Sequence, residues 1–291
     1  MSSLCDARRR GISWQAAAMR NFPLPVLILA LLPLSAAQAE TRSTLTAGNA
    51  HMSYVGSAMG LSVMRVQAAL AMDRSGYRVD VTYGTTGLFS AFMRTEQHSW
   101  AQGLWQGRRP APQRFYSWGH VRGQPRETLL DYDAGQPVLR TLQPPNAGDR
   151  DEVPAAERRN TIDTLSALAL LVQRVADDGR CDGTARVFDG RRLSEVSART
   201  VAEVVLPPES DAAYAGPSLR CDFLGRQLAG FSIDSDREWQ QRPHGGSVWF
   251  ARAVPGVPPV PVRMTFETRW FGDVTMVLTA AGPGPGPSAA R

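Results

Sequence analysis

Apolar and polar residues alternate along most of this chain. Val262, Met264, Phe266, Thr268 and Trp270 interleave with Arg263, Thr265, Glu267 and Arg269, giving one apolar and one polar face at the period of a β-strand. Gly272-Asp273 turns the chain, and Val274, Met276 and Leu278 alternate again. Tyr77, Val79, Val81 and Tyr83 alternate with Arg78, Asp80 and Thr82, while Met64, Val66, Ala68, Leu70 and Met72 share a face just before them. The loop between these two runs, residues 73–76, reads as a hairpin connection. Further strands are predicted over 92–102, 113–121, 126–132, 138–143, 184–188, 193–206, 217–228 and 247–253, with Asp189-Gly190 as a tight turn. One segment breaks the period. In residues 161–176, Leu165, Leu168, Leu171 (or Val172) and Val175 recur every three to four positions, a helical stripe. Asp163 or Thr164 can cap its start, and Gly179 sits just past its end. Many antiparallel strands and one apolar helix predict a mainly β protein: a curved antiparallel sheet or open β-barrel with the helix packed in its mouth or on its concave face.

The ends of the chain differ from this body. Residues 22–34 form a 13-residue apolar run, preceded by Arg20 and followed by small residues at Ala37 and Ala39. Basic flank, short apolar core and A-x-A site predict a cleavable signal peptide over 1–39, cut before Glu40. A membrane anchor is the alternative, but the run falls short of the roughly 20 residues a span needs and contains prolines. The leader is long, and Met19 would start a more typical one than Met1. Residues 40–49 read as a loose lead-in, 50–281 as a single β-rich domain, and 282–291 as a low-complexity glycine and proline tail.

The leader changes the charge argument. The full chain carries a net charge of +5, all 32 basic residues being arginine. Residues 1–39 hold four arginines and one acid, so the remainder carries only +2. That near-neutral balance gives no drive toward nucleic acid. Without lysine, Schiff-base, P-loop and kinase-type chemistry are excluded. Of three cysteines, Cys5 lies in the leader, and Cys181 and Cys221 remain. An even pair in an exported chain reads as a disulfide, the alternative being two buried thiols. Two cysteines are too few for a metal site, and no C-x-x-C redox motif occurs.

A catalytic constellation is not visible. His51, His98, His120 and His244 form no zincin pattern, and no G-x-S-x-G elbow occurs. The carboxylate pairs Asp131/Asp133 and Asp234/Asp236 sit beside turns. The most unusual composition is residues 100–126, where Trp100, Trp105, Phe115, Tyr116 and Trp118 interleave with Arg108, Arg109, Arg114, Arg122 and Arg126. Phe115 and Tyr116 must face opposite ways on a strand, so they do not build one stacking platform.

Several blocks resemble an exported bacterial family, domain of unknown function 3108. They are Thr161-Ile162-Asp163-Thr164-Leu165-Ser166-Ala167, Cys181-Asp182-Gly183 with Val187-Phe188-Asp189-Gly190-Arg191-Arg192, and Tyr214-Ala215-Gly216-Pro217-Ser218-Leu219-Arg220-Cys221. The segments Tyr83-Gly84-Thr85-Thr86-Gly87-Leu88 and Pro261-Val262-Arg263 are also similar, so the resemblance spans about residues 50–280. Thr164 stands where the family pattern suggests proline. The resemblance implies a periplasmic, mostly β protein and transfers no catalytic residue. In outline, a helix within a curved sheet is similar to the open barrels of periplasmic lipoprotein carriers, an analogy of fold alone.

Three functions are therefore weighed. The first is a non-enzymatic periplasmic module holding an apolar, lipid-like ligand between sheet and helix, lined by Leu168, Leu171, Met264, Phe266 and Trp270. The second is a structural or interaction module of the cell envelope, contacting a protein through Trp105, Arg108 and Arg109. The third is a hydrolase acting on an envelope polymer. No cofactor, metal, nucleic-acid partner or membrane span of the processed chain is expected.

Overall fold

The computed structural model describes residues 49–269 and 272–284. The expected signal peptide, most of the lead-in, the end of the tail and Trp270 lie outside the described residues. The first half of the fold is β1 (Ala50–Ala58), β2 (Leu61–Met72), β3 (Gly76–Thr85), a short turn α1 (Phe89–Phe92), β4 (Glu96–Gln106), β5 (Arg109–Val121), β6 (Gln124–Asp133) and β7 (Gln136–Gln143). The helix α2 (Thr164–Asp178) follows. The second half is β8 (Gly183–Phe188), β9 (Leu193–Leu206), β10 (Gly216–Ala229), the short α3 (Arg237–Gln241), β11 (His244–Ala251), β12 (Val260–Thr268) and β13 (Gly272–Pro283).

The strands form one 13-stranded sheet in the order β7-β6-β5-β4-β3-β2-β1-β13-β12-β11-β10-β9-β8. Every pairing is antiparallel, and each half is a meander of neighbours. The sheet curls into a nearly closed barrel, as the strand patterning predicts. The two halves join where β1 pairs with β13. They separate at mid-chain, where β7 and β8 remain edges. The β8 edge is covered. Ile162 makes a bridge to Val187 on β8, and Arg150 bridges to Ser232, so the loop before α2 blunts the open seam.

The hairpin at 189–192 helps hold this seam. Asp189 Oδ1 accepts from the backbone N–H groups of Arg191 and Arg192, closing the turn. Arg191 donates to the Gln143 carbonyl and to Asn146, reaching across to the end of β7. Gly190 adopts φ +91°, and a Cβ there would overlap the Thr128 methyl of β6. A Gly190→Ala substitution should therefore lower stability by roughly 2 kcal/mol through backbone strain and the clash. Urea unfolding checks this, and a change under half a kilocalorie would show that the seam yields freely.

The helix follows its sequence signals. Asp163 is the N-cap and accepts from the Ser166 backbone N–H at 2.8 Å, while Gly179 closes the end in the left-handed conformation. Leu165, Ala169, Val172 and Val175 are buried, and α2 packs on β3, β4, β5 and β8. Tyr77, Val79, Ala101, Phe115 and Leu130 on the inner face of β3–β6 belong to the same core.

Three local expectations need correction. Strand β4 covers Glu96–Gln106 rather than 92–102, because residues 89–92 form a helical turn. Strand β5 begins at Arg109, so Arg108 belongs to a tight β4–β5 turn. Gly282 and Pro283 continue β13 opposite His51 and Ala50, so the tail starts later than residue 282. Strand β1 ends at Ala58, consistent with reading residues 56–60 as a strand end, while its body and α3 have no counterpart among the predicted elements.

Candidate functional site: an apolar groove under the internal helix

Helix α2 has a second apolar stripe besides its buried one. Leu168 and Leu171 are only partly buried and face a groove between the helix and the inner surface of β8–β12. The groove has a volume of about 360 Å³. Its sheet wall includes Val196, Ala198, Phe223, Phe250 and Met264, so the lining is almost wholly hydrocarbon. Sequence-predicted Leu168, Leu171 and Met264 thus come together. Phe266, two residues further along β12, packs against the small cluster of Ala58, Val63 and Val274.

The disulfide between Cys181 and Cys221 anchors one side of this groove. Both half-cystines are fully buried, and Cys181 is among the lining residues. Because Cys181 follows the helix C-cap by two residues, the bond ties the last turn of α2 to β10.

At the other end of α2 lies a buried polar chain. Ser166 Oγ donates to Asp163 Oδ2 at 2.5 Å, Tyr77 donates to Ser166 Oγ at 2.7 Å, and Tyr132 approaches Asp163 Oδ2 at 3.4 Å. Asp163 is fully buried, and desolvation raises its carboxyl above the ordinary range despite the hydrogen bonds from Ser166. Tyr77 and Tyr132 are pushed up as well, chiefly by desolvation. These groups fix the start of the helix.

Toward its C-terminus the groove-facing stripe of α2 turns polar, as Leu171 is followed by Arg174 and Asp178 at helical spacing. Arg174 lines both the apolar groove and an adjoining polar cavity, also of about 360 Å³. That cavity is formed by Arg108, Arg109, Arg174, Asp178, Arg180 and Asp182. The β4–β5 turn brings in Arg108 and Arg109, and Arg108 pairs with Asp178. The carboxylate of Asp182 accepts from the backbone N–H and hydroxyl of Thr200 and from Arg180. These contacts, led by the Thr200 backbone, hold it down at about 2. The Arg174 guanidinium lies over Gly183, where any Cβ would overlap Nη1, and donates to the Asp182 carbonyl at 2.8 Å.

The remaining sequence-selected residues lie elsewhere. Trp105 is half-buried with its ring 4.9 Å from that of Tyr77, packing against the core. Trp100, Tyr116 and Trp118 share the opposite, outer face of β4 and β5. Tyr116 stacks on Trp118 and Trp118 on His98, while Arg78 lies 4.5 Å over Trp100. Asp131 is held by Arg114 and Arg140, and Asp236 caps α3. Among the described residues, no group of three His, Cys, Asp or Glu side chains could hold a metal.

These features define a nearly closed antiparallel barrel with an internal helix and an apolar groove. The chain belongs to the family described as "Protein of unknown function (DUF3108)", whose model matches residues 49–279. Among solved structures, the chain resembles a β-barrel-like protein of domain of unknown function DUF1849 from Brucella abortus. That likeness has a TM-score of 0.51 and 10% identity, and covers 81% of this chain and 97% of the other. At that identity it speaks to the fold alone. No curated protein matches the chain. No described helix is long and apolar enough to cross a membrane.

Proposed function

We propose that this protein is a non-enzymatic binding module of the periplasm that holds one apolar, lipid-like chain in the groove under α2. The observation that carries the reading is the groove itself, about 360 Å³ of hydrocarbon-lined space beside an otherwise packed core. Protein interiors are close-packed, so a hydrocarbon-lined groove of this size beside the core is a distinctive feature. It falls at the lower end of the range for ligand sites and holds about a dozen water-sized groups, which suits a single acyl chain. The leader-like run at residues 22–34 and the Cys181–Cys221 bond support an oxidising, exported setting.

Leu168→Trp tests the reading, because the indole fills the groove from the helix side. The variant should keep its melting temperature within a few degrees and lose at least about tenfold in affinity for dodecanoate, read by calorimetry. Unchanged binding in a folded variant would place the ligand elsewhere or nowhere. The ladder of Trp100, Tyr116, Trp118 and His98 on the outer face favours a second reading, contact with another envelope protein.

A further inference from the structure

Resting on the groove reading, we infer that the ligand is an anionic amphiphile: its chain lies along Leu168 and Leu171, and its acidic head sits in the polar cavity on Arg174 and Arg109. The two cavities adjoin at Arg174, which lines both. An apolar chain lying along α2 therefore ends at this cavity as the helix stripe changes from leucine to arginine.

The charge balance there favours an anion. Four arginines face two carboxylates in the cavity. Asp178 is taken by Arg108, and Asp182 by Arg180 and Thr200. Arg174 and Arg109 have no carboxylate partner among the described residues. The C-terminal end of α2 adds a partial negative charge of roughly half a unit, which two unpaired guanidiniums outweigh. Guanidinium forks suit carboxylate and phosphate oxygens, and their charge-assisted hydrogen bonds are the stronger kind. Arg108, Arg109, Asp178, Arg180 and Asp182 are exposed, so a head group enters the cavity without complete desolvation. The same four arginines come from two distant parts of the chain: Arg108 and Arg109 from the β4–β5 turn, Arg174 and Arg180 from α2 and its exit.

The test compares three amphiphiles of equal chain length, each below its micelle threshold, titrated into the full chain at low salt: dodecanoate, dodecyl maltoside and dodecyltrimethylammonium. Dodecanoate should bind at least about tenfold more tightly than the cation, with the maltoside between them. In Arg174→Gln that preference should fall below about threefold, with dodecanoate losing more affinity than the maltoside. Equal affinity for all three would overturn the head-group assignment and leave the groove reading standing. A preference that survives both Arg174→Gln and Arg109→Gln would overturn the assignment to this cavity. No binding of any of the three would overturn the groove reading itself.

Discussion

Replacing Cys181 and Cys221 together with serine should lower the stability of the barrel by about 4 kcal/mol. The bond closes a loop with a sequence separation of 40 residues, and restricting a loop of that length in the unfolded chain corresponds to roughly this amount. Both sulfurs are buried, so the serine hydroxyls would also be placed in apolar surroundings. In a domain of this size the change should lower the melting temperature by about 8–16 °C. The loss should appear equally when the native protein is unfolded in the presence of a reductant. The double variant should also loosen the exit of α2, because Cys181 fixes the chain just after the helix cap. Comparing urea unfolding of the native chain with and without reductant checks the figure. A difference below about 1 kcal/mol would mean that the unfolded chain is already confined by other means.

Removal of the buried carboxyl should have nearly as large an effect. Asp163→Ala takes away the helix cap, worth about 1–2 kcal/mol, and leaves the Ser166 and Tyr132 hydroxyls without their acceptor. Unsatisfied buried groups cost about 1–3 kcal/mol, so a total near 3 kcal/mol is expected. Asp163→Asn separates the cap from the charge. Burial raises the folded carboxyl above its unfolded value of about 4. The native state therefore binds the proton more tightly than the unfolded state. The stability this contributes is complete below about pH 4 and is lost as pH rises through the raised folded value. Asparagine caps a helix as well as aspartate does and does not ionise. Relative to the native chain, Asp163→Asn should thus gain stability as pH rises from 4 to 8, while Asp163→Ala is destabilised throughout. Denaturation midpoints at several pH values distinguish these, and parallel curves for native and Asn proteins would show that burial does not act on the carboxyl in this way.

The helix and the hairpins were legible because their signals are local. Asp163, Gly179 and the Leu165-to-Val175 stripe mark α2 within one short window, and β12 and β13 alternate without a break. The body of β1 is weakly marked because its inward positions include Ala50, Gly56 and Ala58, whose small side chains give little contrast with the serines between them. The start of β4 was misplaced because an apolar run at 88–92 imitates a strand, while the true strand carries Trp100 and His98 on its outer face and so blurs the alternation. Leu168 and Leu171 could be assigned to a groove from the helix pattern, but Phe223 and Phe250 could not, since only the curl of the second meander brings them opposite α2. The arginine cavity joins positions about 70 residues apart in sequence, and no periodicity links a hairpin turn to a helix end. Tyr77 falls in an alternating strand run and Tyr132 at the end of another, and their approach to Asp163 is likewise a product of closure.

The space under α2 is proposed to hold an apolar chain. Native mass spectrometry of the full protein, isolated without detergent from the cells that make it, tests this most directly. A population carrying one acidic single-chain adduct, released on denaturation and missing from Leu168→Trp, is expected. A ligand-free mass for the native protein, together with no uptake of added dodecanoate, would contradict it.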